Sequence, residues 1–172
     1  GGFNKIKFNK NIFLKIKKIY NNKNIINLEK NLILIYTGIN RTAHKIASRY
    51  VKKLTNTKRK YIENIVEHVD EGEKILMSGN IDDFGKLLNS SWLLKKKLSS
   101  SISNAKIDQL YESAINNGAL GGKLLGAGGG GFLLMYMKKK HRNIFFARNP
   151  KIINIPFKFT NNGAEVIYKN LE

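Results

Sequence analysis

The hydrophobic pattern of this chain changes between two periods, one typical of strands and one typical of helices. Residues 3–8 and 12–19 alternate apolar and polar side chains on either side of a polar turn, which predicts two antiparallel strands. Residues 32–36 are continuously apolar and β-favouring, so we expect a central strand that is buried on both faces. Residues 132–137 are a second wholly apolar run and predict another buried strand.

Helical periodicity dominates the middle of the chain. Apolar residues recur there at helical spacing over 41–54, 58–78, 81–98 and 105–117, which predicts four helices. Asn80 and Asn104 are suited to be N-caps, and Gly118 is suited to end the fourth helix. The lysines at 95, 96 and 97 fall in the last turn of the third helix, where the helix dipole favours cations, so we expect them to be solvated.

The last third of the chain returns to strands. Residues 138–149 predict a short basic helix that ends at Pro150. Residues 152–159 and 164–168 predict two strands joined at Asn161-Asn162-Gly163, a hairpin turn signal. The whole pattern indicates an α+β fold in which an antiparallel sheet packs on helices.

A glycine-rich loop is the strongest candidate for chemistry. Seven of the twelve residues in 121–132 are glycine, and an apolar run follows them. Such a loop is costly to order, but its bare N–H groups can surround an anion such as phosphate. A flexible linker is the alternative, although linkers rarely have strand sequence on both sides. The spacing matches the dinucleotide fingerprint only formally, because a strand rather than a helix follows it, and no Gly-Lys-Ser/Thr closes a Walker loop.

A second candidate is the polar turn after the central strand. Thr37, Asn40, Arg41 and Thr42 cluster between a buried strand and the start of a predicted helix. Backbone donors and a guanidinium at such a place can hold an anionic group. The alternative is an ordinary capped helix with a solvated arginine.

Composition restricts the function classes. The net charge of +19 comes mostly from lysines scattered through every segment, with arginine scarce, so we expect no dedicated nucleic-acid site. The absence of cysteine is compatible with a reducing cytoplasm, and the apolar runs are too short to span a bilayer, so we expect a cytoplasmic protein without a membrane partner. The histidines at 44, 68 and 141 lie on separate segments, which predicts no metal site. No catalytic base can be named from the residues alone.

The glycine-rich segment carries a family resemblance. Residues 122–132, GKLLGAGGGGF, resemble the C-terminal motif of the GHMP small-molecule kinases, which include galactokinase, homoserine kinase and mevalonate kinase. Flanking segments are similar to the branch of that family that acts on D-glycero-D-manno-heptose 7-phosphate. They are YTGINRTA at 36–43, DFGKLL at 83–88, SWLLKKKLS at 91–99, GALGGK at 118–123 and IPFKF at 155–159.

The resemblance implies a fold and an extent. It implies a ferredoxin-like C-terminal domain at 41–172, preceded by the terminal strands of an ATP-binding N-terminal domain at 1–40. The family's ATP phosphate loop and its expected catalytic aspartate have no counterpart in this chain, which opens at Gly1 without a methionine. We therefore expect the C-terminal portion of a kinase, inactive alone, that packs against its own N-terminal domain.

The resemblance also implies an activity and site residues. The activity is transfer of a phosphoryl group from ATP, with Mg, to the anomeric hydroxyl of D-glycero-D-manno-heptose 7-phosphate, for the synthesis of nucleotide-activated heptose. The nucleotide phosphates would face Gly126, Ala127, Gly128, Gly129, Gly130 and Gly131. Thr37, Gly38, Asn40 and Arg41 would line the sugar-phosphate pocket, and Lys123 would be a second phosphate contact.

Two other functions stay open on the sequence. One is a non-catalytic basic module that binds a polyanion or a partner chain, with an affinity that collapses in salt. The other is a kinase of the same family for another sugar, such as fucose or galactose.

Overall fold

The computed structural model describes residues 1–8, 14–20, 22–40 and 56–168. The strands are β1 (Asn4–Phe8), β2 (Leu14–Lys18), β3 (Leu32–Tyr36), β4 (Ala119–Leu124), β5 (Phe132–Met137) and β6 (Ile153–Asn154). The helices are α1 (Asn22–Asn31), α2 (Asn56–Ser78), α3 (Ile81–Leu98), α4 (Ala105–Asn116) and α5 (Lys139–Arg148), with a 3-10 turn at Ser100–Ile102. The predicted turn at 9–11 and the predicted helix at 41–54 lie outside the described residues.

The main sheet has four strands in the order β4-β5-β3-β6, and every neighbouring pair is antiparallel. In chain order, helices separate β3 from β4, a loop joins β4 to β5, and α5 joins β5 to β6. This is the β-α-β-β-α-β arrangement of ferredoxin-like folds. The α+β prediction with an antiparallel sheet is therefore confirmed.

Strand β3 lies inside the sheet and is buried on both faces, as its apolar sequence predicted. Ile33 and Ile35 join a core with α4, α5 and the 3-10 turn. Leu32 joins a second core, with residues of α1, α2 and the first half of α3. β3 falls within the range 1–40 that was assigned to a separate domain, yet its backbone pairs with β5 and β6.

The helix ends follow the predicted signals. The Asn80 side chain accepts from the Asp82 N–H, and the Asn104 side chain accepts from the Ile107 N–H. Gly118 takes φ +95° directly after α4, a conformation that favours glycine. None of the described helices is long and apolar enough to cross a membrane.

Helix α3 lies unusually close to strand β4, because glycines face each other at the contact. A Cβ on Gly121 would lie 2.1 Å from the Gly85 carbonyl oxygen and 2.7 Å from the Asn89 Cβ. A Cβ on Gly85 would lie 2.8 Å from the Tyr136 ring. Any side chain at these positions would push the helix off the sheet.

The β1–β2 hairpin forms a separate two-stranded sheet that ion pairs attach to α2. Lys5 and Lys17 lie 2.6 and 2.5 Å from the two carboxylate oxygens of Glu73. The hydrogen bond from Lys17 and then that from Lys5 lower the pKa of Glu73 to about 2. The opposite face of the hairpin exposes four apolar side chains in register, Ile6 with Ile16 and Phe8 with Leu14.

The predicted C-terminal hairpin is wrong. Only Ile153–Asn154 forms a strand, on the edge of the main sheet next to β3. Residues 155–168 form no strand pairing with each other, and some of their backbone groups bond to other parts of the chain. The Thr160 carbonyl accepts from Gly2, and the Phe159 N–H donates to Glu29. Pro156 also lacks the N–H that a ladder would need.

We expect Gly121→Ala to lower the free energy of unfolding by about 3 kcal/mol, because the new methyl group must displace the α3 backbone. Urea titration followed by circular dichroism measures this change. Gly163→Ala is the matched control, since its Cβ would lie 3.5 Å from the nearest atom, and its effect should stay within about 0.5 kcal/mol. Equal stability of the two variants would contradict the close contact.

Candidate functional site

The glycine-rich loop joins β4 to β5, and its backbone requires glycine. Gly126, Gly128, Gly129 and Gly131 all have positive φ, between 73° and 119°. Residues with a side chain rarely adopt these angles. The composition of the loop is therefore a consequence of its shape.

The inner side of the loop is held rigidly by the protein. The Gly129 N–H donates to the Ile102 carbonyl at 2.8 Å, and the Gly131 N–H donates to the Ile39 carbonyl at 2.9 Å. A Cβ on Gly128 would lie 2.9 Å from the Ile102 backbone. The amides of Gly129 and Gly131 are thus used inside the protein, where they set the loop's shape.

The outer side of the loop is open. A Cβ added at Gly126 or Gly131 would meet nothing within 4 Å. The N–H groups of Gly126, Ala127, Gly128 and Gly130 have no acceptor among the described residues. Gly126 is exposed and Ala127 half-buried, whereas Gly128 and Gly130 are buried. Unpaired backbone donors along a turn are the feature that binds oxyanions.

Asn104 attaches the loop to the start of α4. Its side-chain amide donates to the Gly129 carbonyl at 3.3 Å while its oxygen caps the helix. The positive end of the α4 dipole therefore lies against the loop, which favours an anion there.

Thr37, which was predicted to line the sugar-phosphate pocket, lies next to the loop with its side chain facing inward. Its backbone N–H and its hydroxyl both donate to the Gly131 carbonyl, at 2.9 and 2.8 Å. The residue is 3% exposed. Thr37 therefore holds the loop in place.

The other predicted residues of that turn are placed differently. Gly38 is exposed with φ +68°, and a Cβ there would lie 3.0 Å from the Lys106 ammonium nitrogen. Asn40 follows it in the chain and is exposed. Arg41 lies outside the described residues, so its role as a substrate contact stays a prediction.

Two partly buried lysines lie beside the open end of the loop. The Lys95 ammonium donates to the Gly126 carbonyl at 2.5 Å. Burial, and then the charge of Lys123, lower the pKa of Lys95 to about 8. Burial also lowers the pKa of Lys123. Neither ammonium has a carboxylate partner among the described residues.

The expectation that lysines 95, 96 and 97 are all solvated is wrong for the first of them. Lys95 is partly buried and bonded to the loop, whereas Lys97 is exposed. Lys96 pairs with Asp108 at 3.1 Å. Sequence reasoning therefore missed Lys95 as a residue of this site.

Lys123 also lines a cavity of about 250 Å³ between the β1–β2 hairpin, α2 and α3. Most of the lining is apolar, and other polar groups on its wall are already paired. His68 Nδ1 lies 2.8 Å from the Ser91 hydroxyl, and Lys5 is bound to Glu73. The cavity alone does not offer the set of free polar groups that a sugar requires.

No group of three or more His, Cys, Asp or Glu side chains that could hold a metal ion occurs in the described part of the chain. The Lys95 ammonium is bonded to the loop, and the charge of Lys123 acts on it. The geometry therefore suits an anionic ligand bound by N–H donors and ammonium groups.

When the chain is compared with models of known protein families, one family model matches half of it. The family model described as "GHMP kinases C terminal" matches residues 63–150. That range contains α3, α4, the glycine-rich loop and α5.

Individual relatives agree with the family match. The D-glycero-alpha-D-manno-heptose 7-phosphate kinase of Campylobacter jejuni is 31% identical over 96% of this chain and 50% of its own length. Mevalonate kinase of L. major has a TM-score of 0.70 at 20% identity, over 90% of this chain and 48% of its own. A D-glycero-D-manno-heptose 1-phosphate kinase of Bacteroides thetaiotaomicron has a TM-score of 0.62 at 21% identity, over 98% of this chain and 46% of its own. The chain thus spans about half the length of these proteins.

We expect Thr37→Val to loosen the loop, because it removes the hydroxyl donor to the Gly131 carbonyl while keeping the shape of the side chain. The loss of one such bond, about 1 kcal/mol, should speed hydrogen exchange of the Gly129 and Gly131 amides about fivefold. Amide exchange followed by NMR measures this, with Thr37→Ser as the control that keeps the donor. Equal exchange in the two variants would show that the hydroxyl does not hold the loop.

Proposed function

This chain belongs to the GHMP kinase family, and we propose that it is the C-terminal half of a kinase for D-glycero-D-manno-heptose 7-phosphate. The observation that carries this proposal is the loop between β4 and β5, whose open amides lie beside two cations without carboxylate partners. The choice of substrate rests on the similarity to the Campylobacter jejuni kinase over 96% of the chain.

GHMP kinases generally use ATP, and the loop suits its phosphates. Phosphoryl transfer depends mainly on positioning and on electrostatic stabilisation of the transferring group. In the proposed complex, the N–H groups of Gly126, Ala127, Gly128 and Gly130 donate to phosphate oxygens. The amides of Gly129 and Gly131 keep the loop in the shape that presents the others.

The acceptor would lie on the side of the loop that faces the turn after β3. We propose that Gly38, Asn40 and Arg41 line the pocket for the phosphate that the sugar already carries, and that Lys123 contacts the transferring phosphate. Thr37 contributes by holding Gly131. In the reaction, the bond from the γ-phosphorus to the ADP oxygen breaks and a bond to the anomeric oxygen forms. The hydroxyl proton passes to a base that we place in the N-terminal half.

The N-terminal half supplies what the described residues do not offer. We propose that it carries the ATP phosphate loop, the catalytic aspartate and the ligands of Mg²⁺. Among the described residues, no group of three or more His, Cys, Asp or Glu side chains could hold Mg²⁺. Without that half, the chain is expected to be inactive.

The surface for that half is the exposed apolar face of the β1–β2 hairpin. Phe8 is 80% exposed there, and Ile6, Leu14 and Ile16 are each 44% exposed or more. A continuous apolar patch of this kind marks an interaction surface. Because β3 pairs within the main sheet, we propose that the domain boundary lies before β3 and not at residue 40.

We expect the protein that carries this chain together with its N-terminal half to release ADP when heptose 7-phosphate is added. A coupled ADP assay measures this against a panel of fucose, galactose and mevalonate, and the 172-residue chain alone should give no turnover. ADP release with fucose or galactose but not with the heptose would assign another sugar. Turnover by the chain alone would refute the assignment of the catalytic groups to the other half.

The variant Gly126→Ala tests whether the proposed kinase activity depends on the glycine-rich loop. In Gly126→Ala the new methyl group has open space in the free protein but would stand where the phosphates are proposed to bind, at a strain of about 1 kcal/mol for positive φ. We expect kcat/KM for ATP to fall at least about tenfold, whereas Gly163→Ala should leave it unchanged. Equal values for both variants would remove the loop from the site.

A further inference from the structure

We propose that Lys95 and Lys123, with the unpaired amides at Gly126 to Gly128, form a binding site for a tetrahedral oxyanion, in which Lys95 also positions the loop. This inference deepens the proposed function, since the oxyanion in a kinase would be a phosphoryl group. Lys95 lies in a segment that carries the family resemblance, 91–99, but was not among the site residues that the resemblance implied.

The first argument is that these two positive charges are not neutralised. Some lysines of the neighbouring elements are neutralised by carboxylates, as Lys96 is by Asp108 and Lys5 is by Glu73. Lys95 and Lys123 have no carboxylate partner among the described residues, although both are partly buried. The charge of Lys123 also lowers the pKa of Lys95. Two adjacent, partly buried cations are unfavourable in the free protein, and a bound anion would relieve that cost.

The second argument is the geometry of Lys95. Helix α3, which carries Lys95, is held against β4 by the contact of Gly85 with Gly121. The Lys95 ammonium therefore lies at the end of β4 where the loop begins. There it donates one hydrogen bond to the Gly126 carbonyl. An ammonium has three N–H donors, so two stay available for an oxyanion beside the open amides.

The site should therefore respond to pH. Among the described residues, Lys123 of β4 is the charged group that shifts the pKa of Lys95. The carboxylates on the neighbouring helices are bound to other lysines, Asp108 of α4 to Lys96 and Glu73 of α2 to Lys5 and Lys17. With its pKa lowered to about 8, Lys95 is charged below that pH and neutral above it. Anion binding is then expected to weaken as the pH rises through 8.

The same shift has a consequence for stability. The pKa of Lys95 is lower in the folded protein than its ordinary 10.5, so folding disfavours the charged form. This cost is complete below pH 8 and disappears as the pH rises to 10.5. Replacing Lys95 with an uncharged side chain of similar length should therefore not lower the thermal stability at pH 7.

The test titrates sulfate into the 172-residue chain and follows the amides of Gly126 to Gly128 by NMR at constant ionic strength. Sulfate keeps its charge between pH 7 and pH 9, so a change in affinity reports the protein. We expect saturable binding that weakens about tenfold from pH 7 to pH 9, since Lys95 loses most of its charge over that range. Lys95→Met should weaken binding about tenfold at pH 7 with an unchanged or higher Tm.

Two further variants separate the alternatives. Lys97→Met removes a positive charge from the same helix at an exposed position and should leave sulfate binding unchanged. Lys95→Arg keeps a cation that does not titrate below pH 12, so binding should persist with a smaller loss at pH 9. Equal weakening in Lys95→Met and Lys97→Met would show general attraction to a basic surface, and glycine amides that do not shift with sulfate would also overturn the proposal. A lower Tm for Lys95→Met would show that Lys95 stabilises the fold, which would contradict its proposed role as an anion-binding residue.

The result is distinguishable from failure of the proposed function. The titration contains neither nucleotide nor sugar, so it tests the oxyanion site alone. If sulfate binding depends on Lys95 but the kinase assay shows no ADP release, the proposed oxyanion site is supported and the proposed kinase activity is rejected. The reverse result would keep the kinase and assign its phosphate contacts elsewhere.

Discussion

The contact on which this structure most depends is the close approach of α3 to β4. It exists because Gly85 and Gly121 carry no side chains, so the helix backbone lies directly on the strand. This contact determines where Lys95 and Lys123 lie. The helix continues to Lys95, and the strand continues through Lys123 into the glycine-rich loop, so both cations reach the same end of the sheet. A packing constraint in the core thereby determines the charge at the surface.

The loop itself divides its backbone donors between structure and ligand. The amides of Gly129 and Gly131 bond to carbonyls of Ile102 and Ile39, and Thr37 holds the far end through the Gly131 carbonyl. The amides at the near end stay open. A rigid half and an open half in one short loop give pre-organised donors, which is the arrangement that electrostatic catalysis of phosphoryl transfer requires. Phosphoryl transfer also needs carboxylates, as a base and as metal ligands. We propose that the N-terminal half supplies them.

Local signals in the sequence were sufficient for most elements but not for all. Asparagine caps and apolar runs predicted α3, α4, β3 and β5, because each element's own residues determine it. Residues 22–31 carry no pattern that predicted an element, yet they form α1, which buries Leu28. The hairpin predicted at 152–168 does not form, and within it Phe159 and Thr160 bond to Glu29 and Gly2, which are distant in sequence. Lys95 lies three residues from both Trp92 and Leu98, which are buried, so helical spacing alone could have placed it on the buried face.

The central claim is that the open amides of this loop, with the two lysines, receive the phosphates of ATP. The most direct measurement is a crystal structure of this chain, together with the N-terminal half, bound to a non-hydrolysable ATP analogue. The account predicts phosphate oxygens within about 3 Å of the Gly126 to Gly128 nitrogens and of the Lys123 ammonium. Phosphates bound elsewhere, with the loop amides facing only solvent, would contradict it.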